Sequence, residues 1–336
     1  MNRRYIICIV AAIIIIIFAI IIFSSSDGDV SEIKAVYLIQ TDPKITKLIN
    51  SNFIGYIRKM TIDYKEVEPC SEFYFKKGYH YVTFYIKKIN NAFQMFSGAI
   101  DLLEINLENF DASDVSDMGY MFFMCTSLDE VRFPKLQNNN LKKMDSMFEG
   151  CSSLKGFDLS NLNLEKVETM DKMFRNCEAL ERFHLFQVKT KNLKTVNSMF
   201  CNCKNLYNID FSYEFGTTNI EDMSHMFSGC KNLYQISLYF FDTKNVEKMD
   251  KMFYGCSRLT SIDLSNFKTP KVKTMENIFY DCENLKFLDI SNFDTSYAPN
   301  ILNNNFAYFG TIIINRSFYN KIKSQIGKTW TINYID

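Results

Sequence analysis

The chain carries no excess charge and almost no histidine. Thirty-eight lysines and arginines balance thirty-eight aspartates and glutamates. That leaves no basic surplus to neutralise phosphates and argues against a nucleic-acid partner. The three histidines, His80, His184 and His225, lie far apart. Nowhere does the sequence hold a nucleophile–base–orienter set, a glycine-rich phosphate loop or a zinc motif. Catalysis would need separated residues to converge, so the expectation is a protein that is not an enzyme and uses no cofactor and no metal. Apolar residues, by contrast, make up 47% of the chain and aromatics 15%, enough for a packed core and too many for wholesale disorder.

One apolar run is continuous. Arg3 and Arg4 precede nineteen apolar residues, 5–23, that include five consecutive isoleucines. As a helix they would span about 28 Å, close to the thickness of a bilayer. Positive charge before the run, with Asp27, Asp29 and Glu32 after it, places the amino terminus in the cytoplasm and the rest of the chain outside. Two readings stay open: a retained signal anchor, or a signal peptide cut near Ser24, Ser25 and Ser26.

Beyond this run the chain is periodic. Cysteines recur at Cys125, Cys151, Cys177, Cys203, Cys230, Cys256 and Cys282, in steps of 26 residues with a single step of 27. A Met-Phe pair (Ile278-Phe279 in the last copy) stands three residues before each, and a leucine three residues after. An earlier copy keeps Met95, Phe96 and Leu102 but has Ala99 in the cysteine position. That makes eight coils. The segment from Leu259 to Leu264 alternates apolar and polar residues, as a strand does, and Val272, Met275, Ile278, Phe279 and Cys282 then follow helical spacing. Each coil therefore reads as one strand and one short helix. Leu136, Leu162, Val188, Phe215, Phe241 and Phe267 belong to a second buried column between the two.

Helix boundaries are suggested too. Thr190, Thr217, Thr243, Thr269 and Thr295 occupy the expected N-cap site, and Pro270 suits a first helical position. Gly98, Gly150, Asn176, Asn202, Gly229, Gly255 and Asp281 sit where a left-handed residue would stop the helix, a series only Met124 breaks. The 27-residue step is assigned to an extra loop residue at Gly216. Stacked coils need closed ends. Residues 35–86 read as a β-rich first cap, with a hairpin across Lys76, Lys77 and Gly78. After an interruption at Ala298 and Pro299, residues 311–335 read as a strand, a helix and a strand closing the other end.

The unit M-F-x-x-C-x-x-L-x-x-[IL]-D-L-S-N-F-x-T, clearest from Met252 to Thr269, resembles the BspA-like leucine-rich-repeat surface proteins over roughly residues 89–297. The resemblance implies an α/β solenoid with a parallel β-sheet on one face and short helices on the other. It also implies a role in adhesion to host or matrix proteins. The expected organisation is a signal anchor or signal peptide at 1–23 and a linker at 24–34. The N-terminal cap at 35–86, eight coils at 87–297 and a C-terminal α/β cap at 298–336 complete it.

Within that frame most reactive residues read as structure. One cysteine per coil, spaced by a helix diameter, is too far apart for disulfides and suits a small core residue. Cys201 and Cys203 form a C-x-C whose members would face different ways on a helix. The methionine columns read as core packing. Asp158, Asp210, Asp263 and Asp289 fall one per coil on the outward side of the strand and lack the ligand density of a calcium loop. Asn315, in Asn-Arg-Ser, is a possible glycosylation acceptor. Against small and acidic outward residues, Arg132, Arg182, His184, Phe186 and Tyr239 stand out, and aromatics with arginine are typical binding hot spots. The leading expectation is a cell-surface or secreted module that binds a protein or glycan through its concave β-face. The alternative is a self-associating cell-coat protein.

Overall fold

The computed structural model describes residues 30–134, 140–185, 188–294, 301–302 and 310–335. The apolar run at 5–23, with Arg3, Arg4, Asp27 and Asp29 beside it, lies outside the described residues, as do Leu136, Phe186, Thr295, Ala298 and Pro299. Among those described, no helix is long and apolar enough to cross a membrane.

The repeat folds as a β-solenoid of about eight coils. The alternating segment of each coil makes the first wall. Its strands are β7 (Leu102–Asn109), β8 (Glu130–Arg132), β9 (Arg182–Leu185), β10 (Asn208–Phe211), β11 (Ser261–Asp263) and β12 (Phe287–Ile290). They pair in parallel as β7–β8, β9–β10 and β11–β12. Two coils interrupt this wall, because residues 154–159 and 233–238 run past their neighbours without strand pairing. A second ladder contributes one parallel bridge per coil, through Asp117, Lys143, Thr169, Thr195, Asp222, Lys248 and Thr274.

The third wall departs from the expected helix. The Met-Phe-x-x-Cys segments are chains of turns, and the reason lies in where their N–H groups go. Tyr120, Phe122 and Met124 donate to Asp145, Met147 and Glu149 of the next coil at 2.8–2.9 Å. The residues between and after them, Met121, Phe123 and Cys125, donate three residues back to Met118, Tyr120 and Phe122 at 3.0–3.2 Å. Every second donor leaves the coil, so the i to i−4 bonds of an α-helix do not form. Two left-handed residues per coil make this possible. One column contains Gly98, Met124, Gly150, Asn176, Asn202, Gly229, Gly255 and Asp281, and the other, four residues earlier, contains Gln94, Tyr120, Ser146, Lys172, Ser198, His225, Lys251 and Asn277.

The threonines serve as staples between coils. Thr243 Oγ1 donates to Lys268 O at 2.8 Å and accepts from Lys268 N at 2.9 Å. Thr217 makes the same pair with Asp242, and Thr269 exchanges bonds with Asp294. Their positions are corners, where the chain turns between walls, so they bind the next coil instead of capping a helix. The extra residue of the long step lies in the turn 212–214, ahead of Gly216. Three residues lie between Phe211 and Phe215 there, where two lie between Leu264 and Phe267.

A single apolar cluster runs the length of the stack. Along its axis Phe96, Phe122, Phe148, Phe174, Phe200, Phe227, Phe253 and Phe279 stack face to face. Successive centroids are 5.4–5.9 Å apart and the ring planes lie within 13°. Each column thiol donates to the carbonyl of the phenylalanine one coil earlier, as Cys151 Sγ does to Phe122 O at 3.1 Å. The same carbonyl accepts from the N–H of its own coil's cysteine.

Ahead of the coils lie β1 (Val30–Ile39), β2 (Lys44–Lys47), β3 (Ile57–Ile62), β4 (Lys65–Val67), β5 (Glu72–Phe75) and β6 (Gly78–Lys87). The order β4-β3-β6-β1-β7-β8 makes the antiparallel sheet continuous with the first coils through β1 and β7. The expected hairpin across Lys76 to Gly78 does not form, because β5 pairs with β2 and β6 with β1 and β3. At the far end β13 (Gly310–Asn315) continues the parallel sheet from β12. It leads through α1 (Arg316–Ile322), the one α-helix among the described residues, to β14 (Trp330–Ile335).

Candidate functional site: the aromatic rim of the parallel sheet

Parallel pairing puts the outward residues of successive coils side by side. His184 on β9 is in register with Asp210 on β10, and its Nδ1 lies 2.8 Å from Asp210 Oδ2. Arg182, exposed on the same strand, places its guanidinium 5.4 Å from the Tyr207 ring centroid. Arg132 belongs elsewhere. It lies on β8, beyond the unpaired coil, with its Nε 2.6 Å from Glu130 Oε1. Tyr239 stands in the turn after the second unpaired coil and is 74% exposed. The structure therefore gathers Arg182, His184 and Tyr239 around one stretch of sheet and leaves Arg132 outside it. Phe186 is beyond description here.

Two further aromatics complete the rim. Tyr213 is 75% exposed and Phe240 half exposed. Their centroids are 6.4 Å apart, and Phe240 is 5.4 Å from Tyr239. Both escaped the sequence reading, although a signal existed. The coil of Tyr239 reads Tyr-Phe-Phe where the coils at Phe267 and Phe293 read Ser-Asn-Phe, and Tyr213 sits in the turn that the extra residue enlarges. Burying apolar surface is favourable by about 25 cal/mol per Å², so three neighbouring rings left in water form an uncovered apolar patch.

Beside the rim, between β10 and β11, lies a cleft of about 610 Å³. Asn208, Asp210, Gln235, Ser237, Tyr239 and Asp263 contribute to its walls. Ile209, Ile236 and Leu238 also line it, and since their side chains are buried in the core, they present main chain there. A second groove, of about 440 Å³, is lined by Glu168, Lys194, Glu221, Glu247 and Lys271 together with Asn192, Asn219 and Asn245. It is largely self-satisfied. Lys194 pairs with Glu168 at 2.8 Å, and each of those asparagines donates Nδ2 to a carbonyl of the preceding coil.

The other candidates have structural partners. Asp158, Asp263 and Asp289 each accept, at 2.8–2.9 Å, from the N–H two residues on, an Asx-turn that ends the outward segment. Among the described residues no three histidine, cysteine or acidic side chains gather closely enough to hold a metal. The column cysteines are free and buried. Burial pushes Cys125 up to about 12 and the others well above the usual thiol range, which suppresses the thiolate that a nucleophile or ligand requires. Asn315 caps α1, accepting from Phe318 N at 2.8 Å. Its Nδ2, the atom a glycan would be joined to, donates to Ser291 O and Phe293 O at 2.9 and 2.7 Å.

The family model described as "Mycoplasma protein of unknown function, DUF285" matches residues 87–213 and 194–312. No curated protein matches the chain. The two matches together take in residues 87–312, well over half of the 336, and coincide with the stacked coils. By that match the chain belongs to the DUF285 family.

Proposed function

We propose that this protein is a BspA-like, surface-displayed binding module, tethered through residues 5–23 and engaging a protein or glycan through its concave β-face. The observation that carries the reading is the patch of Tyr213, Tyr239 and Phe240, three aromatic side chains exposed together across the turn where the 26-residue period is broken and the coil that follows it. Aromatic residues uncovered on a rigid scaffold are characteristic of binding hot spots, and a contiguous exposed apolar patch marks an interaction site. Long, nearly rigid solenoids also suit display, since stacked coils hold their concave surface at a fixed distance from the membrane. The residues flanking the coils act as caps, and Arg182 and His184 belong to the contact surface.

The test has two arms. Protease treatment of intact cells should remove the coils and leave a small membrane-bound stub. Changing Tyr239 and Phe240 together to Ser should weaken capture of the partner while altering stability by no more than about 0.5 kcal/mol, as is usual for exposed positions. Undiminished capture by the double variant would sink the concave-face reading. A second reading, self-association into a coat, has one observation in its favour: β14 is the terminal strand of its sheet, with Tyr334 and Ile335 exposed. Open edges invite strand addition, and ordered polymers of the purified chain would support it.

A further inference from the structure

The cleft beside the rim differs from the rest of the first wall in three respects. Its floor is the coil at residues 233–238, where the sheet loses its pairing. Among the described residues, the main-chain groups of Ile236 and Ser237 make no hydrogen bond to the flanking strands. Among the described residues its walls hold no lysine or arginine, and the titratable His184 stands beside them, 2.8 Å from Asp210. Asn208, Gln235 and Ser237 supply uncharged polar groups, while Asp210 and Asp263 supply carboxylates. Its lip is aromatic, with Tyr239 lining the cleft and Phe240 and Tyr213 continuing outward from it.

We infer that this cleft is a subsite for a neutral, hexose-based glycan. The inference rests on the binding-module reading above and specifies the ligand class. A sugar ring presents an apolar C–H face and an equatorial belt of hydroxyls. Tyr239 offers the first a flat amphipathic platform. Carboxylates and carboxamides answer the second, the charged ones with stronger bonds. The volume of about 610 Å³ lies within the ~300–1,000 Å³ of ordinary ligand sites. Two competing ligand classes fit less well. An anionic glycan would meet Asp210 and Asp263, and among the described wall residues there is no lysine or arginine to offset them; His184, 2.8 Å from Asp210, is already engaged by it. An added peptide strand needs a free sheet edge, and here β10 and β11 both face the intervening coil.

The experiment applies the full-length chain, in a detergent without a sugar head group, to an array of neutral oligosaccharides. The array carries polysaccharide fragments and glycoprotein-type chains in separate sets, together with sialylated and sulfated counterparts. At least one neutral set should bind, and the set that does identifies the source. Tyr239→Ser should lower that affinity roughly tenfold or more, whereas Tyr239→Phe, which keeps the ring, should retain most of it. Circular dichroism of both variants should match the parent. Binding confined to the acidic glycans, absence of binding to every neutral one, or insensitivity to Tyr239→Ser each overturns the inference. If glycans fail but a protein partner is still captured in a Tyr239-dependent way, the broader reading stands and only the glycan assignment falls.

Discussion

Replacing Lys172 by glycine separates a turn from a helix by the sign of its effect. Lys172 is half-buried, has φ +56°, donates its N–H to Asn197 O at 2.8 Å and accepts from Arg175 N at 3.0 Å. Left-handed backbone costs a residue with a Cβ about 1–2 kcal/mol. Glycine removes that strain but adds about 0.4–1 kcal/mol of unfolded-state entropy. The net effect of Lys172→Gly is then stabilising, by about 0.5–1 kcal/mol. In a helix interior the same change would destabilise by roughly 0.7–1 kcal/mol, since lysine is a good helix former and glycine a poor one. Gly150→Ala provides the converse control. There φ is +79° and an added Cβ would meet Met124 Sδ at about 2.5 Å, so stability should fall by more than 1 kcal/mol. Urea denaturation with an unchanged slope reads both, and hydrogen exchange at the Lys172 amide shows whether the change is local to its coil. A loss of stability in Lys172→Gly would refute the turn geometry and restore the helix.

Two further outcomes follow from titratable groups drawn partly or wholly into the fold. Burial raises the Asp171 carboxyl above the ordinary aspartate value, against the bonds from Thr195 and Asn197 that lower it. A raised folded value means stability is full below about pH 4 and falls as pH rises through that value. Asp171→Asn keeps an acceptor for Thr195 Oγ1 and Asn197 N, as Asn197 occupies the same column one coil on. It should therefore be more stable than the parent at pH 7 and no more stable at pH 3; equal pH profiles would count against it. Alkylation at pH 8 should modify Cys70, which is partly exposed, well before the seven column cysteines. Those should react only after denaturation, without prior reduction, and rapid native labelling of the column would contradict the thiol ladder.

The period was legible because identical coils must repeat identical contacts. Phe122 stacks on Phe148, and Cys151 reaches Phe122 O, only if the same residue types recur at the same place in every coil. Strand positions were legible for the same reason, since alternation of buried and exposed residues is a local property. The helix was misread because apolar spacing of three and four is shared by an α-helix and by a chain of four-residue turns. The deciding fact is the destination of alternate N–H groups, and the carbonyls that receive them lie a whole coil away. Glycine and asparagine betrayed one left-handed column, but Tyr120, Lys172 and Lys251 in the other carry no local sign of it. Their cost is met by bonds to the next coil.

For the candidate site the division falls differently. Arg182, His184 and Tyr239 were visible as departures from a repeating column, because an outward position tolerates change and so displays it. Tyr213 and Phe240 needed the folded chain. One lies in a turn lengthened by a single residue, the other in a position that is a small polar residue in regular coils, and only the turn geometry puts their rings within 6.4 Å. The sequence by itself determined the coil, its period and its core, since those depend on which residues shun water. The tertiary structure alone decided the cleft and its rim. Whether the main chain at 233–238 pairs with its neighbours depends on how two adjacent coils settle against it, and no residue of that coil carries this information alone.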